Sequence, residues 1–252
     1  MNFTGKCVLI TGGARGIGKA TATAFAKAGA RVAINYRSNH EAAKATIQEL
    51  PGGPHLAMQA DISQPDEVKS LVDKTIDEFG CIDILVNNAG VHNFHPIDEV
   101  SYEQWQAEWH YTLGVNLLGA ANAIYCVAQH MIEQGGGRIV NVSSRGAFRG
   151  EPDQPAYGAS KAGMNAMSQS LAQKLAPHHI FVGIVAPGFV ETDLAAEILS
   201  GPRGEGIRQQ SPLNRVAKPE EVARGVLFLA AEGTEFMTGA ILDINGASYL
   251  RS

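Results

Sequence analysis

The chain has 252 residues, 45% hydrophobic and 7% aromatic, with 28 glycines, and sets 20 Lys and Arg against 25 Asp and Glu for a net charge of −5. This length and glycine-punctuated composition suit one large α/β domain and exclude a disordered or fibrous chain. The acidic balance, without a Lys/Arg cluster, excludes nucleic acid as a main partner, because such binding rests on neutralised phosphates. No apolar run approaches the roughly 18 residues of a membrane span, and the N-terminus reads as a strand rather than a leader, so the expectation is a cytoplasmic protein without membrane attachment.

Taken in order, residues 6–10 form an apolar run that enters the glycine cluster 11–18, and residues 20–28 have a helical composition closed by Gly29. Residues 31–36 read as a second strand, 41–50 as a helix stopped by PGGP at 51–54, and 55–59 as a third strand. Val68, Leu71, Val72, Ile76 and Phe79 recur at a helical period that Gly80 closes, and 82–86 is the continuous apolar run of a buried parallel strand. Residues 102–133 read as two helices in near succession, with Trp105, Trp109, Leu113, Leu117, Ile124 and Val127 as core candidates. A fifth strand covers 138–142, a helix runs from about Pro155 to Ala176, and a sixth strand covers 180–185. Residues 191–215, polar and rich in Gly and Pro, predict a mobile flap rather than core. A helix at 219–231 and a strand at 240–244 end the alternation, which no repeat or linker interrupts. The expectation is a doubly wound parallel sheet in one domain, with a cofactor half over about 1–140 and a catalytic half over about 141–252. Cys7, Cys81 and Cys126 show neither a disulfide framework nor metal spacing and read as buried free thiols; no metal site is expected.

Ligands of such sheets bind at the carboxyl ends of the strands, so the loops at 11–18, 87–90, 143–148 and 187–192 should face one crevice. In TGGARGIG, Gly12, Gly16 and Gly18 stand between a strand and a helix, with Arg15 and Ile17 among them, where close approach to a pyrophosphate demands absent side chains. The second strand ends Asn35-Tyr36-Arg37 with no acid to meet a free ribose 2′-hydroxyl, and Arg15 and Arg37 can converge on a 2′-phosphate. NADP(H) is therefore expected in preference to NAD(H). Asp61, followed by Ile62, reads either as a partner of the adenine edge or as a helix-start signal with Ser63. Asn88, Ala89 and Gly90 are small or amide residues suited to lining a cofactor. Tyr157 and Lys161 share a helix face, where an ammonium would pull the phenol pKa down and make Tyr157 a general acid or base.

TGGARGIG at 11–18, NNAG at 87–90, Asn116, Ser144 thirteen residues before Tyr157, YGASK at 157–161 and PG at 187–188 together resemble the short-chain dehydrogenase/reductase family over the whole chain. The resemblance implies a seven-stranded Rossmann sheet of order 3-2-1-4-5-6-7, a homotetramer, and a catalytic tetrad of Asn116, Ser144, Tyr157 and Lys161. In that tetrad Ser144 donates to the substrate carbonyl, Tyr157 delivers the proton, Lys161 holds the nicotinamide ribose, and Asn116 supports a water that refills the proton. It also implies that the Val190 backbone and Thr192 hydroxyl, after Pro187 and Gly188, orient the carboxamide.

INYRSN at 34–39 and LDINGASYL at 242–250 are similar to 3-oxoacyl-acyl-carrier-protein reductases. The basic residues that dock the carrier protein in that group are replaced by EQG at 133–135 and HH at 178–179. A carrier-protein partner, a generic ketone, sugar or polyol substrate, and a catalytically silent cofactor-binding sensor therefore all stay open. Candidates for the substrate pocket are His92, Phe94, Arg145, Phe148, Glu151, Phe189 and Leu194. Arg145 either pairs with a substrate carboxylate or salt-bridges Glu151.

Overall fold

The protein is described here by a computed structural model covering residues 1–251, with backbone alone described for Asp193, Leu194 and Glu197. Seven strands, β1 (Cys7–Ile10), β2 (Arg31–Tyr36), β3 (Leu56–Gln59), β4 (Ile84–Asn87), β5 (Gly137–Val142), β6 (Ile180–Pro187) and β7 (Ile241–Ile244), form one sheet of order β3-β2-β1-β4-β5-β6-β7. All six pairings are parallel. The central strands β1 and β4 are buried along their whole length, and apolar but for Asn87, because both faces are covered. One face packs on α1 (Gly16–Lys27), α2 (His40–Glu49) and α10 (Pro219–Ala230), through Phe25, Val222 and Val226. The other packs on α3 (Pro65–Phe79), α5 (Ala120–Gln134) and α7 (Pro155–Leu175), through Leu71, Val127, Met131 and Leu175.

Local chemistry sets the helix ends. In α3, Pro65 opens the first turn, Asp66 and Glu67 complement the positive end of the helix, and Gly80 closes it in the left-handed region at φ 79°. At α4 (Tyr102–Leu113), Ser101 accepts from the Gln104 amide and the Gln104 side chain accepts from Ser101 N–H, a reciprocal cap.

Four readings of the sequence are corrected. The two helices expected over 102–133 are one continuous rod, in which a π-helical turn at Gly114–Gly119 joins α4 to α5. Ile124 and Val127 are core, but Trp105, Trp109, Leu113 and Leu117 are only half-buried, since the wider turn rotates the apolar stripe part-way off the sheet. That rod is also long and apolar enough, by length and composition, to cross a membrane, although polar residues interrupt it throughout; half of its apolar window is buried inside the fold, as in a core helix. Residues 191–215 contain α8 (Asp193–Ser200) and α9 (Gly204–Gln209), and Leu199, Ile207 and Ser211 are buried. Glycine and proline at the helix ends masked these two short apolar stripes.

The cysteines form the fourth correction. Cys7 is buried, but Cys81 and Cys126 are half-buried. Across the N-terminal edge of the sheet the Cys7 and Cys81 sulfurs lie 2.7 Å apart, with Asp83 Oδ2 3.5 Å from Cys81 Sγ. Burial, the Cys7 contact and the nearby Asp83 carboxylate push the Cys81 thiol up to about 12. These three groups are of metal-ligating type, a cluster the linear spacing did not reveal. Arg31 Nη2 donates to Cys7 Sγ at 2.8 Å and brings a positive charge to its edge.

The π turn sits tightly against the loop after β3. A Cβ on Gly119 would lie 2.6 Å from the Ile62 carbonyl oxygen. Gly119→Ala should therefore destabilise the fold by about 1–3 kcal/mol, a loss of roughly 2–10 °C in Tm at this size. Thermal unfolding followed by circular dichroism checks this, and an unchanged Tm would show that the turn yields freely.

Candidate active site

The carboxyl ends of the strands open into a cleft of about 1180 Å³. The four loops expected to converge do so: Gly12 with Ala14 to Ile17, Asn88 to Gly90, Ser143 to Arg145 and Pro187 to Val190 with Thr192 all supply its wall. The loops after β2 and β3 add Tyr36, Arg37, Asp61 and Ile62. Gly18 is an exception. A Cβ there would lie 2.2 Å from the Gly12 carbonyl oxygen, so this glycine lets α1 pack under the loop and is not part of the cleft wall.

The cleft's first half fits a dinucleotide. A Cβ on Gly12 would come within 2.9 Å of Ala89 Cα, and one on Gly16 within 3.2 Å of Thr192 Cγ2, so side chains would fill the cradle. Helix α1 starts there with no side-chain cap and no acid in its first turn, leaving backbone N–H groups for an anion. Buried Asn35 ties the loops together: its Oδ1 accepts from Gly12 N–H at 3.3 Å and its Nδ2 donates to the Ala60 carbonyl at 2.9 Å. Asp61 Oδ1 accepts from both the amide and hydroxyl of Ser63, so its local turn role is realised while it also lines the cleft. Arg37 donates to the Tyr111 hydroxyl and lies over that ring, 5.8 Å from its centroid.

The floor is built by β5 and α7. Ser144 follows β5 and precedes the single turn α6 (Gly146–Arg149), and α7, opened by Pro155, presents Tyr157 and Lys161 one turn apart. Lys161, 4% exposed, donates from Nζ to the Val142 carbonyl at 2.8 Å, and burial brings its pKa down to about 8. The expectation that Lys161 lowers the Tyr157 pKa is corrected. The ammonium is 6.0 Å from the ring centroid, and burial raises the phenol, with the Ser144 hydroxyl opposing and Glu151 adding to the rise. The phenol therefore keeps its proton at neutral pH.

Asn116 does not line the cleft. Fully buried in the π turn, it accepts from Val91 N–H at 2.8 Å and donates to the Val91 carbonyl at 2.9 Å and to Ser160 Oγ at 3.1 Å. It thus pins the segment after NNAG to α7. A Cβ on Gly90 would touch Asn116 Oδ1 at 3.3 Å and Lys161 Nζ at 3.6 Å, so the three groups are neighbours.

In the second half of the cleft His92, Phe94, Arg145, Glu151 and Phe189 are present as expected. His92 meets Tyr157 edge-on at 6.1 Å, and burial lowers its pKa. Phe148 is not in the wall; Arg251 covers its ring at 4.4 Å from the centroid. The Leu194 side chain lies outside the described residues. Arg145 does not pair with Glu151, whose Oε1 lies 3.8 Å from Arg149 Nε. Sequence reasoning missed Ser38, Asn39, Arg203 and Gln210 in the wall. The first two stand directly after β2, where the strand-end rule would have found them.

Residues 6–202 match the family model described as short chain dehydrogenase. The chain belongs to the short-chain dehydrogenase/reductase family. As a member it is an oxidoreductase that uses a nicotinamide cofactor on a carbonyl or the corresponding alcohol. It is 38% identical over 251 residues to a 3-oxoacyl-acyl-carrier-protein reductase of Synechocystis sp., covering 98% of each chain. It is 39% identical over 250 residues, again 98% of each, to the enzyme of the same name from Thermotoga maritima. A short-chain dehydrogenase from Burkholderia cenocepacia solved in complex with NADP superposes with a TM-score of 0.90 at 34% identity, over 98% of this chain and 99% of that one. The short-chain dehydrogenase sheet order expected from the motifs is the one found.

Proposed function

We propose that the protein is an NADPH-preferring carbonyl reductase in which Tyr157 is the general acid, Ser144 holds the substrate oxygen, Lys161 binds the cofactor ribose, and Asn116 positions the segment beside them. The observation that carries this reading is the meeting of Ser144, Tyr157 and Lys161 on the floor of one cleft whose other half is the glycine cradle. A bound reduced nicotinamide supplies the hydride. The remaining work falls to the protein. Ser144 donates a hydrogen bond to the carbonyl oxygen, and the protonated Tyr157 phenol donates to the same oxygen and transfers its proton as charge develops there. A phenol raised by burial is loaded for reduction.

The 3-oxoacyl thioester reading is supported by the names of the relatives. The wall near Tyr157, with His92, Arg145, Glu151 and Gln210, favours a small polar ketone instead. Spectrophotometric NADPH oxidation against an acetoacetyl thioester, cyclic ketones, keto acids and ketoses tests the function. Turnover of none of them would sink it.

The Lys161 shift gives a pH prediction for the cofactor-free protein. Its folded pKa of about 8 lies below the usual 10.5, so between these values the unfolded chain binds the extra proton and folding is favoured as pH rises. The stability of the wild type relative to Lys161→Met should therefore climb between pH 8 and 10.5, by up to a few kcal/mol. Urea midpoints of both proteins across that range check this, and parallel curves would contradict the burial of the charge.

A further inference from the structure

Resting on the carbonyl-reductase reading above, we propose that the substrate is a short keto acid, or the hydroxy acid in the reverse direction, and that Arg145 seats its carboxylate. Arg145 is 3% exposed, yet it forms part of the cleft wall immediately after Ser144. Its Nη1 donates to Ser248 Oγ at 2.6 Å, its Nη2 donates to Gln210 Oε1 at 2.5 Å, and its guanidinium packs on Phe189 at 5.1 Å from the ring centroid. Both acceptors are neutral. Among the described residues no carboxylate lies within ion-pair distance of it. Glu151, the acid nearest in sequence, lies beside Arg149 and acts on Arg145 only through its charge from beyond contact distance.

A buried cation with no described carboxylate in contact is expensive, and a chain that needed only packing here would carry an apolar residue of similar volume. Of the five N–H donors of a guanidinium, the two bonds to Ser248 and Gln210 fix its plane and leave the others for an anion entering from the cleft. The two acceptors come from separate parts of the chain, the end of α9 and the segment after β7, so the orientation is set before any ligand arrives. Ser144 and Arg145 line the same cleft, so one molecule lying in it can present a carbonyl to the first and a carboxylate to the second. A planar carboxylate matches the guanidinium fork, which a neutral ester or thioester does not. In the reduction, hydride adds to the ketone carbon, the Tyr157 proton goes to its oxygen, the nicotinamide is oxidised, and the carboxylate is unchanged.

The test uses the full chain and matched substrates: acetoacetate and 2-oxobutyrate, their methyl esters, an acetoacetyl thioester, and a ketone phosphate. The expected result is a kcat/KM for an acid about 10- to 100-fold above that of its ester. Arg145→Met should bring the acid-to-ester ratio of kcat/KM close to one, chiefly through a raised KM for the acid, and Arg145→Lys should restore part of it. Equal or better turnover of the esters or thioester by the wild type overturns the proposal, as does an equal loss for acid and ester in Arg145→Met. A ketone phosphate that outruns every keto acid overturns the choice of carboxylate. If Arg145→Met does not fold, the wild-type pairs decide alone. Turnover of no ketone at all defeats the reductase reading. The seat is then judged by thermal shift with 3-hydroxybutyrate against its methyl ester, where a rise with the acid alone supports it and equal responses overturn it.

Discussion

Tyr157→Phe is expected to lower kcat for carbonyl reduction by about 10³-fold while leaving cofactor affinity within a few-fold. The change deletes one oxygen. The ring keeps its place on α7 and its edge-on contact with His92, so the fold and the cradle for the cofactor are untouched. What disappears is the proton donor on the substrate oxygen, and no neighbour can replace it. Ser144 is too weak an acid, its hydroxyl already accepts from Gly146 N–H at 3.0 Å, and Lys161 is turned to the Val142 carbonyl. The checks are steady-state turnover and a fluorescence titration of cofactor on the same preparation. A variant with near-normal kcat would remove Tyr157 from the mechanism, and one with equally damaged cofactor binding would make its role structural.

Arg37→Asp is expected to reverse the cofactor preference. In the wild type NADPH should be used with a higher kcat/KM than NADH, and the variant should lose about 10²-fold or more with NADPH while holding or gaining with NADH. The reason is placement: Arg37 and Arg15 line the cleft beside Ser38 and Asn39 at the end of β2, where the adenosine ribose of a bound dinucleotide would lie. A charge-assisted bond to a 2′-phosphate disappears in the variant, and an introduced carboxylate repels that phosphate while accepting from a free 2′-hydroxyl. Equal kcat/KM values for the two cofactors in the wild type would show that the arginines do not select.

These two expectations differ in how much of them the sequence carries. The Tyr157 and Lys161 spacing, the glycine cluster and the missing acid at the end of β2 are local patterns, and a helix or a strand end turns them into geometry by itself. For the same reason the strand and helix order was legible, since each element shows its own apolar period. The rod at 102–134 was less legible because a π turn shifts the phase of the stripe, and the glycines at its two ends, Gly114 and Gly119, stay inside the rod instead of ending a helix. Gly18 and Phe148 were misplaced for a related reason. Both lie in site-forming loops, but which face each residue shows is decided by what packs on it, Gly12 in one case and Arg251 in the other.

The sequence by itself determined the doubly wound parallel sheet, the glycine cluster at its first strand-to-helix turn and the shared helix face of Tyr157 and Lys161, because these follow from short-range periodicity and spacing, whereas Ser144 and the nicotinamide were read from the family resemblance. Only the tertiary structure decided that Asn116 pins Val91, that burial raises the phenol of Tyr157 and brings Lys161 down to about 8, and that Cys7 meets Cys81. It also decided that Arg145 is held by Gln210 and Ser248, 65 and 103 residues away, rather than by the nearby Glu151. Hydrogen-bond partners and desolvation depend on which distant segments exclude water from a group, and linear spacing carries no record of that.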